Sequence, residues 1–335
     1  MVNIFRGKNI LVSGGSGSIG SEIVKKLLQY EPKVVRVLSN DENCLFNLEQ
    51  ELQGYSNLRF LAGDVRDKER LQHAVEDIDF VFHAAALKHV PLCEYNPFEA
   101  VKTNVLGTQN VIETAMEEEV EKLITISTDK AVNPVNVMGA TKLLAERLTI
   151  SANYYKGLRE TAFSCVRFGN VLDSRGSVVP LFQTQIEKGG PVTLTEPNMT
   201  RFVMSIPKAV ELVLKAAEIA QGGEIFIFKM PAFRIGDLAK AMIEELAPQY
   251  GYNPESIKVE ITGKRAGEKM YEELLTADEA MNASETEDMF IITPAAKNQE
   301  SKRISAKEYR SDQDGILLAT EEIKEILRKS LPQPL

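Results

Sequence analysis

Residues 9–20 read NILVSGGSGSIG: a β-type run, Asn9–Ser13, then glycines at 14, 15, 17 and 20, then helical spacing from Ser21 to Gln29. A strand that breaks into such a turn and opens a helix is built to hold a pyrophosphate. One glycine makes the tight turn, another lets backbone approach the phosphates, and a third lets helix and strand pack closely. The helix start presents free N–H groups and the positive end of its dipole. Gly14, Ser16, Gly17, Ser18, Ile19 and Gly20 are therefore expected to contact a dinucleotide.

The same alternation continues downstream. Val34–Leu38, Leu58–Ala62, Phe80–His83, Leu123–Ser127 and Phe163–Arg167 are short apolar runs, separated by stretches of period 3.6 such as Ala100–Met116. Strands apolar throughout that alternate with helices imply a parallel sheet covered on both faces. The expected class is α/β, a Rossmann-type doubly wound sheet over residues 1–170, to which 201–222 returns. The segments 171–200, which reads as loop-rich, and 223–335 are expected to form a smaller C-terminal α/β substrate-binding unit. Helices are expected at 207–220, Arg234–Leu246 and Thr320–Lys329, with strands at 224–228 and Ile257–Ile261.

The chain has 335 residues, 44% of them hydrophobic, enough for a large core. Its 39 basic and 48 acidic residues give a net charge of −9, which argues against a nucleic-acid or anionic-membrane binder. Three separated cysteines form neither a disulfide framework nor a zinc site, so no metal is expected. No apolar run approaches a membrane span and the N-terminus lacks a signal core, so a cytoplasmic protein is expected.

The spacing of Gly14, Gly17 and Gly20 resembles that of short-chain dehydrogenase/reductase proteins, which bind a nicotinamide dinucleotide. An acidic residue ending the second strand would grip the ribose 2′-hydroxyl of NAD. Ser39 and Asn40 stand there instead, with Asp41 only afterwards. A hydroxyl and an amide accept a 2′-phosphate, so NADP is favoured and NAD is the alternative. Asp64, beside Val65, is placed to reach the adenine, and Arg66 to add charge near the ribose phosphate. Ala84, Ala85 and Ala86 allow close approach of backbone to the cofactor.

The fifth strand ends in Ser127-Thr128-Asp129-Lys130, followed by Met138-Gly139-Ala140-Thr141-Lys142. With AAALKHVPLCEYNPFEAVKTNVLGTQNV, RFGNVLDSRGSVVPLF and MTRF, these runs resemble UDP-N-acetylglucosamine 4,6-dehydratases of extended short-chain type, over at least residues 8–275. The resemblance implies that oxidation of C4 acidifies C5–H, that water leaves across C5 and C6, and that hydride returns to C6. It makes Lys130 the C5 base and Asp129 the acid at the 6-hydroxyl, with Thr128 bonded to the 4-hydroxyl. Those roles require a lysine neutral near pH 7 and a protonated aspartic acid. Met138 departs from the Tyr-x-x-x-Lys pattern and cannot act as a base. The C4-hydroxyl proton is then left to Lys142, through water or the substrate hydroxyl, or to Lys130. Lys142 also contacts the nicotinamide ribose in the family.

The same resemblance implies a cytoplasmic enzyme acting on UDP-N-acetylglucosamine. Lys88 would face the sugar or the phosphates. Asn104 is grouped with the cofactor-side residues as the family asparagine that steadies the active-site helix. Asn170, Arg175 and Val178 belong to the segment that closes over the nucleotide. Arg201 and Arg265 would hold the diphosphate, a task suited to the planar arginine fork, and Glu268 the uridine ribose. The helices at Phe98–Met116 and Val137–Asn153 resemble the dimer-forming pair of this fold, so a homodimer or larger even assembly is expected. A 5,6-ene product, with hydride returned to C4, is the runner-up. A C4 epimerase and a non-catalytic NADP-binding module follow.

Overall fold

The computed structural model describes residues 3–172, 174, 176–294 and 308–330. Six strands, β1 (Asn9–Ser13), β2 (Val34–Ser39), β3 (Leu58–Ala62), β4 (Phe80–His83), β5 (Lys122–Thr128) and β6 (Ala162–Phe168), lie parallel in the order β3-β2-β1-β4-β5-β6. The strand order reverses between β1 and β4, which defines a doubly wound Rossmann-type sheet and places its ligand crevice at the carboxyl ends of those strands. Both faces are covered, and β6 is accordingly buried at every position. Its neighbour β5 is in register with it from Lys122↔Ala162 to Thr128↔Phe168. That pairing sets Ser127, Thr128 and the turn Asp129–Ala131 at the sheet's carboxyl edge.

The sheet does not stop at β6. Ile225–Phe228 pairs parallel to β6, Met289–Ile292 adds antiparallel to it, and Ala283–Glu285 forms the edge, giving nine strands. The expected boundary at residue 223 is thus crossed by the sheet. Ile225–Phe228 is buried throughout, as a strand between two neighbours must be, but an apolar run alone does not reveal which sheet it joins.

The smaller unit is built from Thr200–Met204 with Ala232–Arg234 and Asn170–Val171, from Val192–Leu194 with Val259–Ile261, and from three helices. One of these, Val178–Glu187, lies in the stretch expected to be loop-rich. Val179, Phe182 and Ile186 are its buried face, at helical spacing. Val178-Val179-Pro180 disguises it, although proline in a first turn removes no intrahelical bond. Ile235–Leu246 packs against Thr320–Ser330 through Ile323 and Leu327, with Lys324 to Glu244 at 2.7 Å and Arg328 to Glu245 at 2.6 Å. Of the segment 296–335, therefore, the described helix packs on its own chain. The expected helix Ala100–Met116 is longer, running Pro97–Ala100, Val101–Leu106 and Gly107–Glu117, with the middle piece wound as a π-helix.

The large sheet, the long helix Val137–Tyr155 and the segment after Glu273 meet at one buried cation. Arg167, on β6 and 1% exposed, bonds Glu146 of the long helix through Nε and Nη2 at 3.0 and 2.8 Å. It also bonds both oxygens of Glu279, at 2.9 and 3.0 Å, and the Leu274 carbonyl at 3.0 Å. Removing one partner of a buried ion cluster leaves the others uncompensated. Arg167→Met should therefore lower unfolding free energy by about 3–5 kcal/mol, measured by urea denaturation; a loss under about 1 kcal/mol would show the cluster to be structurally dispensable.

Candidate active site

A cleft of 1320 Å³ opens at the carboxyl edge of β1, β2, β4 and β5, between the large sheet and the smaller unit. Its floor is the glycine turn. Gly14 has φ +67°, and a Cβ there would stand 2.6 Å from the Ala85 nitrogen; a Cβ on Gly20 would stand 2.2 Å from the Gly14 carbonyl. Only glycine permits both approaches. The helix Ser18–Leu28 starts at Gly17 with no side-chain cap and opens on the cleft. That combination of bare helix start and Cβ-free cradle fits a dinucleotide pyrophosphate.

At the end of β2 the buried Ser39 accepts a 2.7 Å hydrogen bond from the Ser16 hydroxyl. Asp41, the nearest acid, caps the helix Glu42–Glu51 by accepting from the Cys44 N–H. Asn40 donates to Asp64 at 3.1 Å, and Arg66 bonds both Asp64 at 2.7 Å and Glu99 at 2.9 Å. Partial burial opposes ionisation of Asp64, but the Arg66 and Asn40 bonds outweigh it and hold its pKa below the ordinary value.

Across the cleft, the end of β5 delivers Thr128 and the turn after it delivers Lys130. The long helix delivers Met138 and Lys142, one turn apart on one face. The helix lies hard against the 129–131 turn: a Cβ on Gly139 would stand 2.2 Å from the Lys130 carbonyl. Asn136 caps it through the Gly139 N–H at 2.8 Å and donates to the Gly267 carbonyl at 3.0 Å, tying in the loop of Arg265 and Glu268.

The two lysines sit in opposite environments. Lys142 donates to the Ile126 carbonyl at 2.6 Å; burial pushes its pKa down, with Cys165 and Glu146 only partly opposing. Lys130 donates to Asp129 Oδ1 at 2.9 Å and to Asn170 Oδ1 at 3.2 Å, with Glu272 at 3.9 Å. Burial lowers its pKa too, but Asp129 and Glu272 overcome this and hold it above the ordinary lysine value. The surroundings of Lys130 thus oppose the downward shift that a neutral lysine would need: Asp129 and Glu272 pull its pKa up.

Of the expected site residues, Gly14, Ser16–Gly20, Ser39, Asn40, Asp64, Val65, Ala84–Ala86, Lys88, Thr128, Lys130, Met138, Lys142, Asn170, Val178, Arg201, Arg265 and Glu268 line the cleft. Arg175 lies outside the described residues. Two are placed elsewhere. Asp129 is fully buried behind Thr128, whose hydroxyl donates to its Oδ1 at 2.8 Å rather than standing clear for a ligand; Oδ2 has no hydrogen-bond partner. Asn104 is buried away from the cleft, bonded to the N–H and carbonyl of Leu87 at 2.7 and 2.9 Å and to Thr141 at 3.0 Å. Its amide braces the loop of Lys88 against the long helix, so it is a scaffold residue rather than a cofactor contact.

Two residues escape the reading of the sequence. Ser127 lines the cleft with a buried hydroxyl that has no partner, a position its strand-end place could have flagged. Glu272, 4% exposed, stands beside Lys130 although it lies 142 positions further along the chain.

The chain is similar to known proteins in sequence and in fold. The family model described as "Polysaccharide biosynthesis protein" matches residues 10–294. A Methanocaldococcus jannaschii protein described as an uncharacterized membrane protein is 64% identical over 329 residues, 98% of this chain and 97% of that one. No helix among the described residues here is long and apolar enough to cross a membrane. The UDP-N-acetylglucosamine 4,6-dehydratase (inverting) of Campylobacter jejuni is 45% identical over 302 residues, 89% of this chain and 87% of its own. Pen from Bacillus thuringiensis superposes with a TM-score of 0.92 at 48% identity, over 99% of each chain. With a family model spanning most of its length and relatives matched nearly end to end, this chain belongs to the polysaccharide biosynthesis protein family.

Proposed function

We propose that the protein is a nucleotide-sugar dehydratase that converts UDP-N-acetylglucosamine to a UDP-4-keto-6-deoxy-N-acetylhexosamine, for surface-sugar or nonulosonic-acid synthesis. The observation that carries this reading is the pairing of Lys130 and Asp129 at 2.9 Å on the cleft's catalytic edge, together with the 45% identity to a dehydratase of that substrate. A module that only binds a cofactor has no need of an acid and a base there. A nicotinamide dinucleotide, NADP rather than NAD, would be held at the turn of Gly14, Gly17 and Gly20 and would supply hydride acceptance and return. Ser39, Asn40 and Arg66, with no acidic side chain ending β2, support NADP.

The chain's own residues supply the proton chemistry. Lys142, whose proton affinity is lowered by burial, takes the C4-hydroxyl proton directly or through water. Transfer of one proton along the Lys130–Asp129 bond converts ammonium and carboxylate into amine and acid, the two forms the elimination requires. The amine removes the C5 proton. The acid, seated behind the cleft, reaches the departing 6-hydroxyl through the hydroxyl of Thr128, which is hydrogen-bonded to Asp129 at 2.8 Å and takes this relay in place of the expected bond to the 4-hydroxyl. Arg201 and Arg265 hold the diphosphate, and Glu268 the uridine ribose. A homodimer or larger even assembly, formed through the helices around Phe98 and Tyr154, accompanies this reading; Phe98, Leu106, Leu144 and Tyr154 are exposed on them.

Proton NMR of UDP-N-acetylglucosamine with the protein and catalytic NADP in deuterated water should give a new C6 methyl signal with deuterium at C5. Vinylic C6 signals without a methyl would instead mark the 5,6-ene. No change in the sugar would overturn the substrate assignment.

Because Lys142 and not residue 138 carries the first proton, Met138→Tyr should leave turnover within about tenfold, while Lys142→Met should cost at least about 100-fold. A gain of several orders of magnitude in Met138→Tyr would overturn the role of Lys142.

A further inference from the structure

Glu272 lies just before the strand Glu273–Leu275, and its side chain is 5% exposed. Oε1 stands 3.9 Å from Lys130 Nζ and 3.8 Å from Arg201 Nε, and Oε2 has no hydrogen-bond partner. A buried carboxylate with an orphaned oxygen is costly and persists only where charges or bonds compensate it. Here the backbone is clamped as well. The Glu272 N–H donates to the Ser311 hydroxyl at 2.8 Å, the Ser311 N–H donates to the Glu272 carbonyl at 2.9 Å, and that hydroxyl bonds Thr200. Three segments far apart in sequence converge to fix one carboxylate beside Lys130.

We infer that Glu272 is a positioning residue of the reaction centre: its carboxylate, held between Lys130 and Arg201, sets how tightly Lys130 keeps the proton it must release before acting as a base. The inference rests on the role of Lys130 proposed above. The ionisable groups facing Lys130 are Asp129, Glu272 and Arg201, and those facing Glu272 are Lys130, Asp129, Arg201 and Lys269. Burial and the charge of Asp129 drive the Glu272 pKa up, against the pull of Lys130, Arg201 and Lys269. With Glu272 ionised, Lys130 stays an ammonium. With Glu272 neutral, proton transfer from Lys130 to Asp129 becomes easier. Asp129 is tied to Lys130 by a direct hydrogen bond and exchanges the proton; Glu272 stands too far for one and acts through charge alone.

The test titrates Lys130 without substrate. Only a neutral amine is acetylated, so the pH dependence of acetic anhydride labelling, read on the Lys130 peptide by mass spectrometry of the full chain, gives its midpoint. Glu272→Gln removes the charge at nearly constant shape and should lower the midpoint by about one pH unit or more. Glu272→Asp keeps the charge but withdraws it by a methylene, and should lower the midpoint by less. The Lys142 midpoint should not move in either. An unchanged Lys130 midpoint in whichever variant folds, as judged by circular dichroism, would overturn the inference, since a purely structural Glu272 would affect stability alone. The fall of turnover at high pH, where the Lys130–Asp129 pair loses its one proton to solvent, should be displaced to lower pH by the same amount. A displaced labelling midpoint with an undisplaced turnover limb would uphold Glu272's control of Lys130 and reject Lys130 as the C5 base.

Discussion

The active site depends on the buried cluster of Arg167, Glu146 and Glu279. Arg167 stands on β6, next to the strand that ends in Thr128. Glu146 is one turn beyond Lys142 on the long helix, and Glu279 and the Leu274 carbonyl belong to the segment that carries Glu272. One guanidinium thus ties the strand beside β5 to the long helix and to the segment of Glu272, and so the elements around Asp129, both lysines and the second carboxylate. Its planar fork bonds two carboxylates bidentately, which specifies direction as well as distance. Such a cluster adds little net stability over an apolar core of the same volume. Its value here is registry, because the distances between Lys130, Asp129 and Glu272 are set by how these elements lie against one another.

Two lysines twelve positions apart then acquire opposite character from their surroundings. Lys142 is buried with a carbonyl as its hydrogen-bond acceptor and no carboxylate in contact, so desolvation dominates and favours the neutral amine. Lys130 is flanked by Asp129 and Glu272, so charge dominates and favours the ammonium. On the reading proposed above, the first accepts a proton directly, and the second releases its proton only to the neighbour that becomes the acid. Separating the proton affinities of similar groups by environment assigns acid and base roles without changing residue type.

Much of this was legible in the sequence, and the physical reasons for the rest are specific. The glycine turn and the six strands of the first half read directly, because a doubly covered parallel sheet demands apolar runs and the turn demands residues without Cβ. Val178–Glu187 was hidden by two valines and a proline in its first turn, and the continuation of the sheet by a pairing between segments some 60 positions apart. Asp129 and Lys130 announce themselves as a strand-end pair, but adjacency does not say that one faces the cleft and the other lies beneath it. Glu272 is flanked by Glu273 and by a charged, half-exposed loop; only the clamp from Ser311 turns the first of the two glutamates inward.

Met138 is where the sequence departs furthest from the Tyr-x-x-x-Lys pattern, and the packing gives it a purpose. It is buried with Cys93 and Ala100, with Val90 and Val137 against them, and lines the cleft one turn before Lys142. A thioether there brings no proton and no charge; it places apolar surface one turn from the buried Lys142 and adapts its shape to its neighbours. A tyrosine would offer its own acid and would need Lys142 as a charged partner to lower its pKa. A methionine needs nothing from Lys142 except dryness, and dryness is what depresses a buried lysine. On the reading proposed above, the residue that removes the usual base leaves beside Lys142 the apolar surroundings under which that lysine takes its place.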